Sequence, residues 1–436
     1  MRIVLLHYHQ RPSGVTQIIH LQRQVLEELG HEVSIPELPE LDYCLESSLS
    51  GPEFLRLLEN AIDLDPDLWL IHNPILGKNA AFPALIKSLS EKGIPLILQC
   101  HDFAEDGRPS NYQLLKNNKE LYPIAPQVHY ALINSRDASL LRNAGIPEAQ
   151  IHFLPNAVVR TPLPPKEPDH PFVFYPVRGI RRKNLGEFCL WAKHAPPGTR
   201  FAVASRPENL EWSTTFDAWK NFAAREHLPI EFDVVSDEFP FEHWLANATH
   251  LATTSIAEGF GLTFIEPHFL GRPLIGRNLP EITKDFEAEG LSLKNLYPGI
   301  KVPLSSLDLP KLERDFRSQI EATFSAYNQK VDSTAAWKTF VQNDHVDFGN
   351  LPEFHQQELI QNQHFPALED WLKHGLSKTS TSGQNIDTWS PERYRERMQT
   401  LVTTAYSSPS APPDFLPKER VLNQFLDPDH FHFLRT

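Results

Sequence analysis

The sequence has very little cysteine, no long apolar run and a deficit of positive charge. Its three cysteines, Cys44, Cys100 and Cys189, are an odd and widely separated set, which excludes a disulfide framework and a CxxC metal site. No segment approaches the ~20 apolar residues of a membrane span, and the N-terminal apolar run is too short for a signal peptide. The formal charge of −14 disfavours nucleic acid as a partner. We therefore expect a cytoplasmic protein without a transmembrane segment.

Length and composition predict more than one domain. A chain of 436 residues exceeds one ordinary compact core, so two domains of roughly 150–200 residues are expected. The polar, proline-rich segment 161–169 is typical of an interdomain linker. The predicted boundaries are 1–160 for an N-terminal domain, 161–388 for a C-terminal domain and 389–436 for a terminal helix and tail.

Short apolar segments alternate with helical patterns in both halves, which predicts an α/β fold. The strand candidates are residues 2–8, 68–72, 95–100, 128–134 and 151–154 in the first half, and 172–177, 200–204, 230–235, 250–254 and 273–275 in the second. Such alternation favours a mostly parallel sheet in each domain, with ligands outside the carboxyl ends of the strands. The loops that follow strands are therefore the places to look for a site.

The segment from Glu258 to Pro267 follows one of these strand candidates and contains two glycines. Glycines permit close backbone approach, so the N–H groups of Gly261, Leu262 and Thr263 could face a phosphate at the positive end of a helix. A glycine-rich turn without a ligand is the alternative for so short a pattern.

Two carboxylates, Glu258 and Glu266, frame this segment. The acid/base pair of a glycoside hydrolase needs carboxyls roughly 5–9.5 Å apart. If the intervening residues are mostly helical, the two backbones lie on the order of 10–12 Å apart, which favours two separate hydroxyl-binding roles. Two solvated surface glutamates are the alternative interpretation.

The segment resembles the Glu-x7-Glu motif of the retaining GT-B glycosyltransferases, specifically the large sequence family four. The resemblance continues through residues 271–275 and 279–282, and upstream to Arg178 and Lys183, which match a basic pair that grips the donor diphosphate. Looser matches are the loop with Gly14 and the residue His101 after a predicted strand. The match extends over residues 2–406, is strongest in residues 172–283, and leaves residues from about 310 to 388 without a counterpart.

The resemblance implies a GT-B fold, with two Rossmann-like domains facing a cleft and a C-terminal helix, starting after Ser390, that crosses back to the N-terminal domain. It implies a hexosyltransferase that moves a sugar from a nucleoside-diphosphate sugar to a small or glycan acceptor with retention of configuration. The N-terminal domain is the acceptor side, and the C-terminal domain binds the donor. No cofactor or metal is implied beyond the nucleotide-sugar co-substrate.

The same resemblance assigns the site residues. The implied catalytic residues are His101, Glu258, Arg178 and Lys183, with Glu258 near the sugar and His101 contacting it from the N-terminal domain. Glu266 is implied to hold the ribose hydroxyls. The implied donor-binding residues are Gly14, Arg178, Lys183, Gly259, Phe260, Gly261, Leu262, Thr263 and Glu266.

Other classes of protein are alternatives to a glycosyltransferase. A GT-B phosphorylase, a sugar-nucleotide epimerase or a non-catalytic sugar-nucleotide-binding protein would keep the same fold. A nicotinamide-dependent enzyme is excluded because residues 11–15 do not supply a GxGxxG turn. The pairs His7/His9 and His430/His432 have no convincing third ligand, so no metal site is predicted.

Overall fold

The computed structural model describes residues 1–46, 49–62, 65–115, 117–118, 120–160, 162–164, 170–377 and 386–435, without the side chain of Glu211. The predicted linker 161–169 therefore falls largely outside the described residues. The chain forms two compact units. The first comprises Met1–Ala157, Thr323–Gln329 and Asp387–Asp427, and the second comprises Val158–Ala322, Lys330–Ile386 and Pro428–Thr436. Within the described ranges, no helix combines the length and apolarity needed to cross a membrane.

The first unit alternates strands and helices from its start. Its elements are β1 (Arg2–Leu6), α1 (Gly14–Glu28), β2 (Glu32–Ser34), α2 (Gly51–Ala61), β3 (Leu68–His72), α3 (Phe82–Glu91), β4 (Leu96–Cys100), α4 (Pro109–Leu114), β5 (Tyr122–Ile124), β6 (Val128–Leu132), α5 (Ser135–Ala144) and β7 (Ile151–Phe153). Six of these strands form a parallel sheet in the order β2-β1-β3-β4-β6-β7. The order reverses direction between β1 and β3, which places a crevice at the carboxyl ends of these two strands.

The second unit repeats this architecture. Its elements are β8 (Phe172–Arg178), α6 (Leu185–His194), β9 (Arg200–Ser205), α7 (Leu210–Arg225), β10 (Ile230–Phe232), α8 (Phe241–Asn247), β11 (His250–Thr253), α9 (Leu262–Leu270), β12 (Leu274–Arg277), α10 (Pro280–Ala288), β13 (Leu296–Tyr297), β14 (Lys301–Pro303), α11 (Leu309–Ala326), α12 (Ser333–Phe340), β15 (His345–Asp347), α13 (Glu353–Asn362) and α14 (Pro366–Leu376), with the end of α11 in the first unit. The parallel sheet has the order β10-β9-β8-β11-β12-β13. Its direction reverses between β8 and β11.

The predicted α/β fold is confirmed, and the strand predictions are close to the observed bounds. Residues 68–72 form β3 as predicted, because this run is buried at every position. Residues 230–235 form a strand only as far as Phe232. The strand ends there because Asp233 takes a positive φ of 62°, a left-handed conformation that a strand cannot contain.

The C-terminal segment returns to the first unit as α15 (Pro391–Ser407), β16 (Asp414–Leu416) and α16 (Lys418–Phe425). Ser390 caps α15 by accepting a hydrogen bond from the Arg393 N–H at 3.3 Å. Tyr394, Met398 and Val402 then pack into the apolar layer below α1. The predicted C-terminal helix that joins the N-terminal domain is confirmed.

Candidate active site

The reversal point of the second sheet brings together two loops that are far apart in sequence. Strands β8 and β11 are neighbours, so the loop after β8, which holds Lys183, lies beside the loop after β11, which holds Glu258. Ligands of doubly wound sheets bind at this position, where the strand order reverses. The topology therefore places Lys183 and Glu258 together at the reversal point, where ligands of doubly wound sheets bind.

Two buried hydroxyl groups, on β8 and directly after β11, fix the loop that contains Lys183. The Lys183 carbonyl accepts hydrogen bonds from the Tyr175 hydroxyl at 3.1 Å and from Thr254 Oγ1 at 2.9 Å. Asn184 then takes a left-handed conformation, with φ of 50°, and α6 begins at the next residue. Tyr175 and Thr254 are buried on β8 and after β11, so both strands hold this turn in one position.

Lys183 and Glu258 form a buried ion pair, in which Lys183 Nζ donates to Glu258 Oε1. The two side chains are only 11% and 8% exposed. Burial acts to raise the pKa of Glu258, but Lys183 and Arg182 outweigh it and the pKa lies below its ordinary value. Burial lowers the pKa of Lys183, and Glu258 opposes that change. Glu258 is thus an ionised carboxylate that is neutralised by Lys183.

The loop after Glu258 leads into the start of α9 without a side-chain cap. Gly261 has a φ of 86°, and a Cβ there would lie 2.8 Å from Phe264 and 3.0 Å from Ile282, so only glycine fits. Thr263 Oγ1 is buried and has no hydrogen-bond partner among the described atoms. An uncapped helix start with an unpartnered hydroxyl in its first turn suits an anionic ligand.

The side chain of Phe260 belongs to the core of the second unit. It is 7% exposed, and its ring centroid lies 5.5 Å from that of Phe286. Any donor contact of residue 260 would therefore come from its backbone. The predicted donor roles of Gly259, Phe260, Leu262 and Thr263 stay predictions.

Glu266 is paired with an arginine that the sequence analysis missed. Arg160 lies 2.8 Å from Glu266 Oε1, and the Glu266 side chain is 17% exposed. Burial raises the pKa of Glu266, and Arg160 opposes that change. Arg160 lies next to the predicted linker and matches no motif, so the sequence carried no signal for this contact.

The basic residues around Lys183 have different partners. Arg178 ends β8 and forms an exposed pair with Glu208 at 3.0 Å, which contributes little stability and leaves the guanidinium accessible. Arg181 is bound by Glu353 in a bidentate pair at 2.6 and 2.9 Å. Arg182 forms no ion pair with a carboxylate of the described residues. Arg181 is therefore already neutralised, whereas Arg178 and Arg182 keep charge that a ligand could use.

A cavity of about 280 Å³ lies beside Glu258 within the second unit. Residues 277–282 line one side of it, and three residues of the C-terminal tail, His430, His432 and Arg435, line another. The aromatic residues Phe431 and Phe433 dock this tail onto Phe316. The tail therefore reaches the cavity beside Glu258, which no motif in the sequence predicted.

Behind this cavity, Arg277 forms a buried charge network. Its guanidinium donates to Glu187 at 3.0 and 3.2 Å and to Asp347 at 2.5 and 2.9 Å, and the Glu187 side chain is 0% exposed. Tyr297 donates to the same Glu187 carboxylate. The network connects α6, β12 and β15, so it holds one side of the cavity to β15, which lies in a segment that the family resemblance does not cover.

This network gives a stability prediction. We expect Arg277→Ala to lower the free energy of unfolding by about 3–5 kcal/mol, because Glu187 would remain as a buried, uncompensated charge. Denaturant unfolding followed by circular dichroism measures this change. The matched control is Arg200→Ala, which removes an exposed pair with Glu231 and should cost less than about 1 kcal/mol. Equal losses for the two variants would contradict a structural role of the buried network.

In the first unit, His101 is part of a buried chain of polar side chains. Its Nε2 lies 3.0 Å from His72 Nδ1, and His72 Nε2 lies 3.0 Å from Gln22 Oε1. The His101 N–H donates to Asn73 Oδ1 at 2.8 Å. Burial lowers the pKa of His101 to about 4, so the imidazole is neutral at neutral pH. The predicted catalytic role of His101 stays a prediction.

Hydrogen bonds between Ser13 and Thr16 fix the loop that contains Gly14. Ser13 and Thr16 form a capping box at the start of α1, with hydrogen bonds of 3.2 and 2.8 Å. A Cβ added at Gly14 would meet nothing within 4 Å. The protein itself therefore does not require glycine here, and the predicted donor contact of Gly14 stays a prediction.

Among the described residues, the structure also groups three potential metal ligands, His194, His364 and Glu369, whose ligand atoms all lie within 4.8 Å of one another. The carboxylate lies 3.1 Å from His194 Nδ1 and 2.7 Å from His364 Nε2. His194 ends α6, the helix that begins beside Lys183. The group differs from the histidine pairs that the sequence analysis considered.

Two doubly wound parallel sheets, with a C-terminal helix that packs on the first unit, define the GT-B fold. The chain is similar to HepE of Anabaena, both in complex with UDP and glucose (TM-score 0.51, 11% identity) and in complex with UDP-glucose (TM-score 0.50, 12% identity), with coverage of 93% of this chain and 100% of that one in each case. These likenesses are to the fold.

No protein-family model matches the chain. The chain is similar to mannosylglucosyl-3-phosphoglycerate synthase of Petrotoga mobilis, with 24% identity over 504 aligned positions that cover 99% of both proteins. Together with the fold, this relative confirms the resemblance identified in the sequence. The chain has the GT-B fold, and the glycosyltransferase function predicted from the sequence is supported.

Proposed function

We propose that the protein transfers a hexosyl group from a nucleoside-diphosphate sugar to an acceptor with retention of configuration, and that the second unit binds the donor. The observation that carries this proposal is the buried Lys183–Glu258 pair beside the uncapped start of α9, at the reversal point of the sheet. This arrangement offers positive charge for a diphosphate and a carboxylate for sugar hydroxyls within one site. The retained configuration rests on the resemblance to family four.

The ion pair suggests how the donor engages the site. Without donor, Lys183 neutralises Glu258. A bound diphosphate would compete for Lys183, and Glu258 would then accept hydrogen bonds from the sugar hydroxyls. The released carboxylate would also stabilise positive charge at the anomeric carbon.

The departing diphosphate would be stabilised by Lys183, by the N–H groups at the start of α9 and by Arg182, which forms no ion pair among the described residues. Arg178 would reach the diphosphate by leaving its exposed pair with Glu208. Glu266 would accept ribose hydroxyls by exchanging its contact with Arg160. A ligand can therefore replace the present partners of Arg178 and Glu266, and it can bind Arg182 without breaking an ion pair of the described residues.

The acceptor proposed here is an anionic glycoside, glucosyl-3-phosphoglycerate. The support is the end-to-end similarity to a mannosylglucosyl-3-phosphoglycerate synthase. Incubation of the protein with UDP-, GDP- and ADP-hexoses and this acceptor tests the proposal by mass spectrometry of the product. An epimerase would instead consume the nucleotide sugar without the acceptor, a phosphorylase would need inorganic phosphate in place of the acceptor, and a binding protein would consume none.

Catalysis is proposed to need no divalent metal, because the cationic groups named above can neutralise the diphosphate. We expect chelator-treated enzyme to keep most of its kcat with its preferred donor and acceptor. The variant His364→Ala is the matched control, because it removes one ligand of the group at the far end of α6 without touching the donor site. A strict and restorable requirement for Mg²⁺ or Mn²⁺, also present in that variant, would contradict this part of the proposal.

A further inference from the structure

The reversal point of the first sheet carries polar groups that the donor site does not use. Residues 7–10 follow β1, and Lys78 follows β3, the strand that pairs with β1. Carboxyl ends of neighbouring parallel strands meet at one edge of the sheet, so these residues share the crevice of this unit. They come from two loops that no motif identified.

Four polar side-chain atoms in the loop after β1 are buried and have no hydrogen-bond partner among the described residues. They are His7 Nδ1, His9 Nδ1, and both amide atoms of Gln10. His7 is 4% exposed, and burial lowers its pKa to about 4, so its imidazole is neutral. Buried polar groups are nearly always hydrogen-bonded, and several unpartnered ones in one loop indicate a place for a polar ligand.

His7 and His9 belong to a continuous row of side chains that ends at Lys78, and we call this row, together with Gln10, the wall. His7 and His9 have ring centroids 5.3 Å apart, and His9 Nε2 lies 3.1 Å from the Tyr43 hydroxyl. Lys78 Nζ lies 5.2 Å from the centroid of the Tyr43 ring. On the other side, the His7 ring lies 6.2 Å from that of His72, the partner of His101. The wall thus extends from the predicted catalytic histidine to Lys78.

Lys78 differs from its basic neighbours in having no carboxylate partner among the described residues. Arg11 is held by Asp42 in a bidentate pair at 2.8 and 2.7 Å, and Arg108 is held by Asp102 at 2.5 Å. Lys78 is half-buried, and burial and the nearby Arg108 lower its pKa, while the charge of Asp102 opposes that change. A half-buried cation without an ion-pair partner, in a chain of net charge −14, is suited to an anionic ligand.

We propose that this wall is the acceptor subsite, in which Lys78 binds the phosphate of the acceptor and His7, His9 and Gln10 bind its hydroxyls. The inference rests on the proposed function for the identity of the acceptor. It assigns charge recognition to Lys78 and recognition of the sugar part to the loop after β1. The two roles make different predictions for acceptors with and without phosphate.

The test is calorimetric titration of glucosyl-3-phosphoglycerate, and of its dephosphorylated form glucosylglycerate, into the wild type, Lys78→Ala and His9→Ala. Lys78→Ala should weaken binding of the phosphorylated acceptor at least about tenfold and bring it close to that of glucosylglycerate. His9→Ala should weaken both acceptors by a similar factor. The control Lys92→Ala removes an exposed lysine paired with Glu59 and should change neither.

Binding and turnover separate this inference from the proposed function. Unchanged affinity of Lys78→Ala for the phosphorylated acceptor, or no binding of that acceptor to the wild type, would overturn the inference. Thermal unfolding of the variant checks that it is folded, and Lys78→Arg should restore part of the affinity. Binding that depends on Lys78 without sugar transfer would leave the inference standing and would contradict the proposed function.

Discussion

Lys183→Ala is expected to lower kcat/KM for the donor by about ten- to a hundredfold, because a hydrogen bond to a charged group contributes about 1.5–3 kcal/mol. The loss should be found mainly in donor affinity, since Lys183 is proposed to bind the diphosphate in the ground state. Steady-state kinetics and titration with the nucleoside diphosphate measure the two quantities. The matched control is Lys220→Ala, which changes an exposed lysine of α7.

The same substitution should also destabilise the protein, because it leaves Glu258 as a buried charge without its partner. The double variant Lys183→Ala/Glu258→Gln removes both charges and should recover much of that stability while remaining inactive. Recovery of stability without recovery of activity separates the structural role of the pair from its role in binding. Wild-type kinetics of folded Lys183→Ala would remove Lys183 from the site.

Glu258→Gln and Glu266→Gln are expected to have opposite effects on nucleotide binding. Glu258→Gln should reduce turnover about a hundredfold or more, because the amide cannot stabilise charge at the anomeric carbon. It should leave affinity for the nucleoside diphosphate unchanged or tighter, because it removes the carboxylate that competes for Lys183. Glu266→Gln should weaken nucleoside diphosphate and intact donor by similar factors of about tenfold, because its contact is with the ribose.

Titration of both variants with nucleotide and donor, together with single-turnover kinetics, distinguishes these outcomes. Glu242→Gln changes an exposed glutamate of α8 and should behave as the wild type. If Glu258→Gln loses nucleotide binding as severely as Glu266→Gln, the separate sugar and ribose roles are wrong.

The sequence predicted the α/β fold and the loops of the proposed donor site because both depend on local patterns. Buried parallel strands are continuous apolar runs, and β3 was therefore found at its observed bounds. The start of α9 was predictable because Gly261 has a conformation and a packing position that only glycine allows. Lys183 and Glu258 were identified by a family resemblance that the fold and a relative support.

The partners of these residues could not be predicted, because side-chain pairs across a fold leave no periodic signal. Lys183 and Glu258 are 75 positions apart, and no local pattern indicates that they neutralise each other. Arg160 beside Glu266 and the tail residues beside Glu258 are likewise brought in by tertiary structure. The unpartnered atoms after β1 become visible only when burial is known.

The central claim is that Lys183 and Glu258 form the donor site of a glycosyltransferase. The most direct test mixes the protein with each nucleoside-diphosphate hexose and glucosyl-3-phosphoglycerate, and follows glycosylated product and released nucleotide by mass spectrometry and NMR. We expect a product with the anomeric configuration of the donor, formed by the wild type and by Lys220→Ala and strongly reduced in Lys183→Ala. Product formation that is unaffected by loss of both Lys183 and Glu258 would contradict it.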